Sequence, residues 1–187
     1  MRSVLNRSAG AKQTNRRRLF EILSRERRVS RPQLARLTGL SRAGISILAD
    51  DLLDLNLVRE VGFADSVGGR PPVLLEFNPD AAFTLGAGIH DSQWSIVAAN
   101  LDSRVVADES VSFTGKDPQA AVAALRRGID AIRKRFDDTR LLPGIGLGLP
   151  GLVDIRTGII KCAFDFGWND VPFAHMVEKA LGDRKST

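Results

Sequence analysis

Two short amphipathic segments split by one glycine and followed by a glycine–proline turn, residues 28 to 79, restrict the fold of this chain more than any other feature. Ser30 and Gln33 stand at the S-x-x-Q spacing of a helix capping box. Pro32 falls in the first turn, where a missing N–H removes no intrahelical bond. Leu34 and Leu37 are expected to face inward, and Gly39 can take the positive φ that ends a helix. Ser41 offers a second N-cap, and Ile45, Leu48, Ala49 and Leu52 then repeat at i, i+3, i+4 and i+7, the stripe of a helix with one buried face. Upstream, Leu19, Ile22 and Leu23 predict a first helix over Gln13 to Arg25, with Arg16, Arg17 and Arg18 turned outward. Downstream, Val58 to Val61 and Val73 to Phe77 read as strands, the second alternating Val73, Leu75 and Phe77 inward. Gly68-Gly69-Arg70-Pro71-Pro72 between them makes a tight, stiffened turn that carries an arginine.

Helix, turn, helix and glycine-tipped hairpin, in that order, imply a head that reads duplex DNA. The helix beginning at Ser41 leaves Arg42, Ala43, Gly44 and Ser46 near its N-terminal end, away from the apolar stripe. That end is where such helices meet base edges. Arg42 can give two donors to a guanine or bind a phosphate. Gly44 carries a cost of roughly 1 kcal/mol relative to alanine inside a helix. Close approach to DNA is one reason to accept that cost, and a neutral lapse on an exposed face is the other. Arg70 at the hairpin tip suits minor-groove or phosphate contact, or is a solvated turn residue. Charge alone leaves both pairs of options open, while the place of Arg70 after a helix-turn-helix favours its DNA contact. Residues 1 to 70 hold 14 Lys/Arg against 7 Asp/Glu, whereas residues 71 to 187 hold 13 against 15. A basic head on a slightly acidic body points to a polyanion partner for the head.

The remaining composition excludes more than it assigns. No apolar run reaches the roughly 18 residues of a membrane span, and Met1 to Ala11 lacks the apolar core of a secretory signal. A soluble, cytoplasmic protein is expected. The one cysteine, Cys162, excludes an internal disulfide and a multi-cysteine zinc site. Cys162 and His175 are read as packing residues, so no metal and no cofactor are expected, and Trp168 is read as core or interlobe surface.

From Ala82 the pattern becomes α/β. Thr84 to Ile89, Trp94 to Ala99 and Arg104 to Val111 read as strands, with Asn100-Leu101-Asp102-Ser103 joining the last two. Asp117 caps a helix with Pro118 at its first position, and Val122, Leu125, Ile129, Ile132 and Phe136 recur along it. Gly144 to Leu149 is expected as a buried strand ending in Pro150-Gly151, and Phe173 to Leu181 as a last helix. The division expected is a flexible basic N-terminus at 1–12, a winged helix-turn-helix at 13–79 and a second domain at 80–187.

The stretches S-R-P-Q-L-A-R-L-T-G-L-S-R, L-L-D-L-N-L-V-R-E-V-G, G-G-R-P-P-V-L-L-E-F-N-P and G-I-G-L-G-L-P-G-L-V-D together resemble the ROK family of sugar-responsive repressors and sugar kinases. The resemblance runs from about Gln13 to the C-terminus. It implies an α/β protein with an N-terminal winged helix-turn-helix and a C-terminal part like the first lobe of the actin/hexokinase-like ATPase (ribonuclease H-like) fold. By the same resemblance, Gln33, Ser41, Arg42, Ala43, Gly44, Ser46, Gly69 and Arg70 are the DNA-binding positions. Double-stranded DNA is the implied partner, as is a homodimer or a pairing with a full-length relative. The implied function is sequence-specific regulation, by repression, of carbohydrate-related genes.

Catalysis is not expected. Kinases of that fold carry D-x-G-x-T in their first hairpin, whereas Gly88-Ile89-His90-Asp91-Ser92 stands here, with glycine in the aspartate position. A histidine and an added negative charge disfavour a triphosphate. The family's catalytic aspartate, sugar-contacting asparagine and cysteine-rich zinc loop follow the point where this sequence stops, so a chain truncated after the first lobe is expected. Only Pro150, Gly151, Val153 and Asp154 then remain from one wall of a sugar pocket, and a sugar effector is doubtful for this chain alone.

Overall fold

The computed structural model describes residues 2–64, 71–135 and 140–182, with side chains from Lys12 onward. It contains two compact units, Met1–Ala81 and Ala82–Thr187. The boundary falls two residues beyond the expected one because a 3-10 turn, Pro79–Ala81, stays with the first unit.

The first unit runs α1 (Arg2–Glu26), β1 (Arg28–Ser30), α2 (Arg31–Thr38), α3 (Arg42–Asp54), β2 (Val58–Phe63) and β3 (Val73–Phe77). α1 begins well before Gln13 and includes most of the stretch expected to be a flexible N-terminus. The reason is local: no proline interrupts it, and Ala, Arg, Lys, Gln and Leu all propagate a helix well. α2 starts with Ser30 and Gln33 in a complete capping box and Pro32 in its first turn. It stops at Gly39, whose φ of 73° lets its N–H return to Ala35 O at 2.9 Å. Thr38 braces the turn, donating to Leu34 O and accepting from Leu40 N.

Leu19, Leu23, Leu34, Ile45, Leu48, Ala49 and Leu52 close one core together with Val29, Val58 and Leu75. Leu37 does not join it. It is 51% exposed, because α2 is only eight residues long and its packed side is taken by Leu34 and Thr38. The sheet has the order β1-β3-β2 and is antiparallel throughout. β1 has only three residues and no alternation to betray it, yet it fills the free edge of β3, with Val29 opposite Leu75. Glu76 sits between Arg28 (2.6 Å) and Arg59 (2.7 Å) on the two flanking strands.

The second unit contains β4 (Phe83–His90), β5 (Gln93–Asn100), β6 (Val105–Ser112), α4 (Pro118–Arg133), β7 (Leu141–Gly148), β8 (Leu152–Asp154), β9 (Ile159–Ala163), β10 (Trp168–Val171) and α5 (Phe173–Gly182). The main sheet has the order β6-β5-β4-β7, with β7 parallel to β4 and the other pairs antiparallel. α4, capped by Asp117 with Pro118 at its start, covers one face. It lies so close that a Cβ on Gly128 would overlap the Ile96 side chain. Trp94 Nε1 donates to Ala121 O at 2.8 Å. Phe136, expected on the same helix, lies outside the described residues.

β7 corrects one expectation. It is an edge strand, half-buried through Leu141, Ile145 and Leu147 and exposed at Gly144, Gly146 and Gly148. Burial on both faces would require a layer on each side, and here side chains alternate between a covered and an open face. A smaller antiparallel sheet, β10-β9-β8, was not foreseen. Trp168 on β10 sits in a series of stacked rings from neighbouring elements: Phe113 on Phe166 (6.1 Å between ring centres), Phe166 on Trp168 (4.7 Å) and Trp168 on Phe173 (5.4 Å). Trp168 is thus core, and its Nε1 donates to Lys116 O at 2.6 Å.

Candidate nucleic-acid interface

The start of α3 is built from Ser41 outward. Ser41 is extended (φ −64°, ψ 154°), and its Oγ accepts the N–H of Gly44 at 3.1 Å. That bond satisfies one of the free N–H groups of the first turn and fixes where the helix begins. Burial of Ile45, Leu48, Ala49 and Leu52 then fixes its rotation. Arg42 and Ala43 emerge exposed, and Gly44 and Ser46 lie half-buried at the flanks.

Arg42 has no ion-pair partner among the described residues, which leaves its guanidinium available. Ser46 is more committed, because its Oγ donates to Arg42 O at 3.1 Å and only its acceptor capacity is left. A Cβ on Gly44 would meet Ser41 Oγ at 3.3 Å. The cap itself therefore gives a reason for glycine here, beside the two weighed from sequence. Gln33, on α2, is exposed, and its Oε1 accepts from Ser30 N (2.8 Å) and Ser30 Oγ (2.9 Å). Its amide nitrogen has no partner among the described residues. Gly69 and Arg70 lie outside the described residues.

Two features of this surface escaped the sequence. Arg31 bridges α2, α3 and β2, donating to Asp50 Oδ1 (3.1 Å) and Glu60 Oε1 (2.8 Å). Burial works against its charge, but the bonds to Glu60 and Asp50 outweigh it and hold the pKa above the ordinary arginine value. Arg31 therefore locks α3 to its neighbours rather than standing free as a phosphate ligand. No local signal reveals this, because the partners lie 19 and 29 residues away. The second feature is Ile47, 58% exposed on the outer side of α3. Its signal was present: an isoleucine that does not fit the buried stripe.

In the second unit, the β4–β5 turn places Asp91 (φ 46°) and Ser92 (φ 59°) in the left-handed region, as a tight two-residue hairpin requires. His90 Nε2 lies 3.0 Å from Asp91 Oδ2, both side chains exposed. Asp154 is occupied by its own loop. Its Oδ1 accepts from Arg156 N at 2.9 Å, and that bond, followed by one from the Thr157 side chain, holds its pKa below the ordinary carboxylate value. Among the described residues no cluster of His, Cys, Asp and Glu is placed to hold a metal ion, and no helix is long and apolar enough to cross a membrane.

Over 92% of its length the chain superposes on 44% of a crystal structure of a ROK family transcriptional regulator, a homologue of the E. coli MLC protein, with a TM-score of 0.67 and 23% identity. This establishes the fold. Sequence adds the kinship: 28% identity over 170 residues to the xylose repressor of Caldicellulosiruptor bescii, covering 90% of this chain and 43% of that protein. The DNA-binding transcriptional repressor Mlc of Escherichia coli (strain K12) is 27% identical over 174 residues, covering 91% of this chain and 43% of that protein. The chain is thus similar in sequence to these repressors and similar in fold to a ROK family regulator. It spans less than half the length of the curated relatives it matches. No family model matches it.

Proposed function

We propose that residues 13–79 form a winged helix-turn-helix, and that the chain is a sequence-specific DNA-binding transcription regulator that represses carbohydrate-related genes without catalysing a reaction. The orientation of α3 carries this reading. One side of the helix is sealed in the core, and its capped N-terminal end projects with Arg42 and Ala43 exposed. A helix with a free positive dipole end and an unpaired arginine is suited to enter a phosphate-lined groove. Gln33, Ser41, Ala43, Gly44, Ser46, Gly69 and Arg70 are the further contacts of the proposal. The names of the relatives, xylose repressor and DNA-binding transcriptional repressor, supply repression and the link to sugars.

The second unit is read as the first lobe of an actin/hexokinase-like fold. The exposed His90–Asp91 pair at its first hairpin supports a regulator over a kinase, since it offers negative charge where a triphosphate would have to sit. Duplex DNA is the partner proposed, with a second copy or a longer relative completing a pair of half-sites.

Selection of bound duplexes from a random pool tests the reading. An enriched sequence whose affinity falls steeply with salt is expected, through release of counterions from neutralised phosphates. Arg42→Ala should then narrow the ratio of specific to non-specific binding by about tenfold or more. Salt-insensitive binding, or none, would refute the proposal.

A further inference from the structure

We propose that Ala43 and Ile47 form an apolar strip that recognises thymine methyl groups in the major groove, so that part of the sequence preference comes from shape rather than hydrogen bonds. The proposal rests on the DNA-reading function above and names a determinant that function does not require. The buried residues Ile45, Leu48, Ala49 and Leu52 define the inner side of α3. At 3.6 residues per turn, the line opposite them runs through Ala43, Ile47, Asp50 and Asp54. All four are exposed. The line is apolar over its first half and acidic over its second.

A single exposed isoleucine on a protein surface needs no explanation. Ile47 differs by its place. It sits one turn beyond Ala43 on the outermost line of the helix proposed to enter the groove, and it is 58% exposed. An aliphatic side chain there can neither bind a phosphate nor hydrogen-bond a base. Among major-groove features it complements one, the C5 methyl of thymine. The acids beyond it set the limit of approach. Asp50 is held in place by Arg31 at 3.1 Å, and Asp54 is exposed at the negative end of the helix. Both repel phosphates, so the first two turns bear the contact, and Ile47 is the last side chain before that barrier. Ser46 strengthens the case by default, because its hydroxyl hydrogen is spent on Arg42 O.

The test uses the whole chain and the duplex enriched by selection. Each thymine is replaced in turn by deoxyuridine, which keeps the same hydrogen-bonding edge and lacks only the methyl. At one or two positions per half-site, wild type should lose about fourfold in affinity, the scale of one buried methyl group. Ile47→Ala should bind thymine and uracil duplexes equally at one of those positions while keeping the wild-type melting curve. Ile47→Val should retain the preference. A selected site with no uracil-sensitive position, or an Ile47→Ala variant with undiminished discrimination, overturns the strip and leaves DNA reading intact. Failure to bind any duplex overturns both.

Discussion

Both units place glycines with positive φ at turns, but among the described residues only the second also pairs glycine with glycine across neighbouring strands. In the first, Gly39 and Gly62 stand where the chain must turn or bulge, each with positive φ, and side chains occupy the space around the core. In the second, Gly86 pairs with Gly146 and Gly88 with Gly148 across β4 and β7, so part of the open sheet face carries no side chains. Within 4 Å a Cβ on Gly146 or Gly148 would meet only main-chain atoms, one on Gly88 would meet nothing, and one on Gly86 would meet the Val97 side chain. The first unit encloses an apolar core with its own elements, while Leu37, Ile47, Leu55 and Phe63 stay exposed. The other is finished on the α4 side only. The difference separates a unit closed around its own core from one whose sheet leaves a glycine-lined stretch on its open face.

The sharpest way to break this comparison is to open the first core. Leu34→Ala removes a side chain with no exposure and should cost about 3 kcal/mol, read as a loss of helical signal and of DNA binding. Trp94 and Trp168 are the chain's two tryptophans and both lie in the second unit, so their fluorescence follows that unit separately. Equal shifts of both signals would mean that the units unfold as one. The reciprocal change is Gly128→Val, which forces a side chain into Ile96 and Val111 and should cost about 2 kcal/mol in the tryptophan-monitored denaturation. A wild-type midpoint would show that α4 is less tightly seated than its glycine suggests.

A smaller effect is expected from Ser41→Ala. Loss of the cap bond to Gly44 should lower stability by about 1 kcal/mol, while Ser41→Asp, which can accept the same bond, should restore it. The smallest is a pH effect at Glu76. Hydrogen bonds from Arg28 and then Arg59 hold its pKa below the ordinary glutamate value of 4.5. A lowered folded-state value means that the stabilisation is full above pH 4.5 and disappears as pH falls through the lowered value. Both arginines are more than half exposed, so the contribution is about 0.5 kcal/mol. Glu76→Gln should flatten the acid limb of stability against pH by that amount, and an unchanged limb would remove the pair from the account.

What could be read from the sequence was whatever closes within about one helical turn. The capping box of Ser30 and Gln33, the left-handed Gly39, the cap at Ser41 and the Asp117-Pro118 start all depend on atoms a few residues apart, and each occurs in the structure. The buried stripe of α3 was equally legible, because helical period alone sorts its faces. Tertiary structure decided the rest. Whether Leu37 is covered depends on what packs against an eight-residue helix, and whether β7 is buried depends on how many layers the sheet has. β1 exists because β3 has an edge to fill, and Arg31 finds Asp50 and Glu60 only once three elements meet. Those outcomes belong to contacts between distant residues, and no local propensity encodes which partner will arrive.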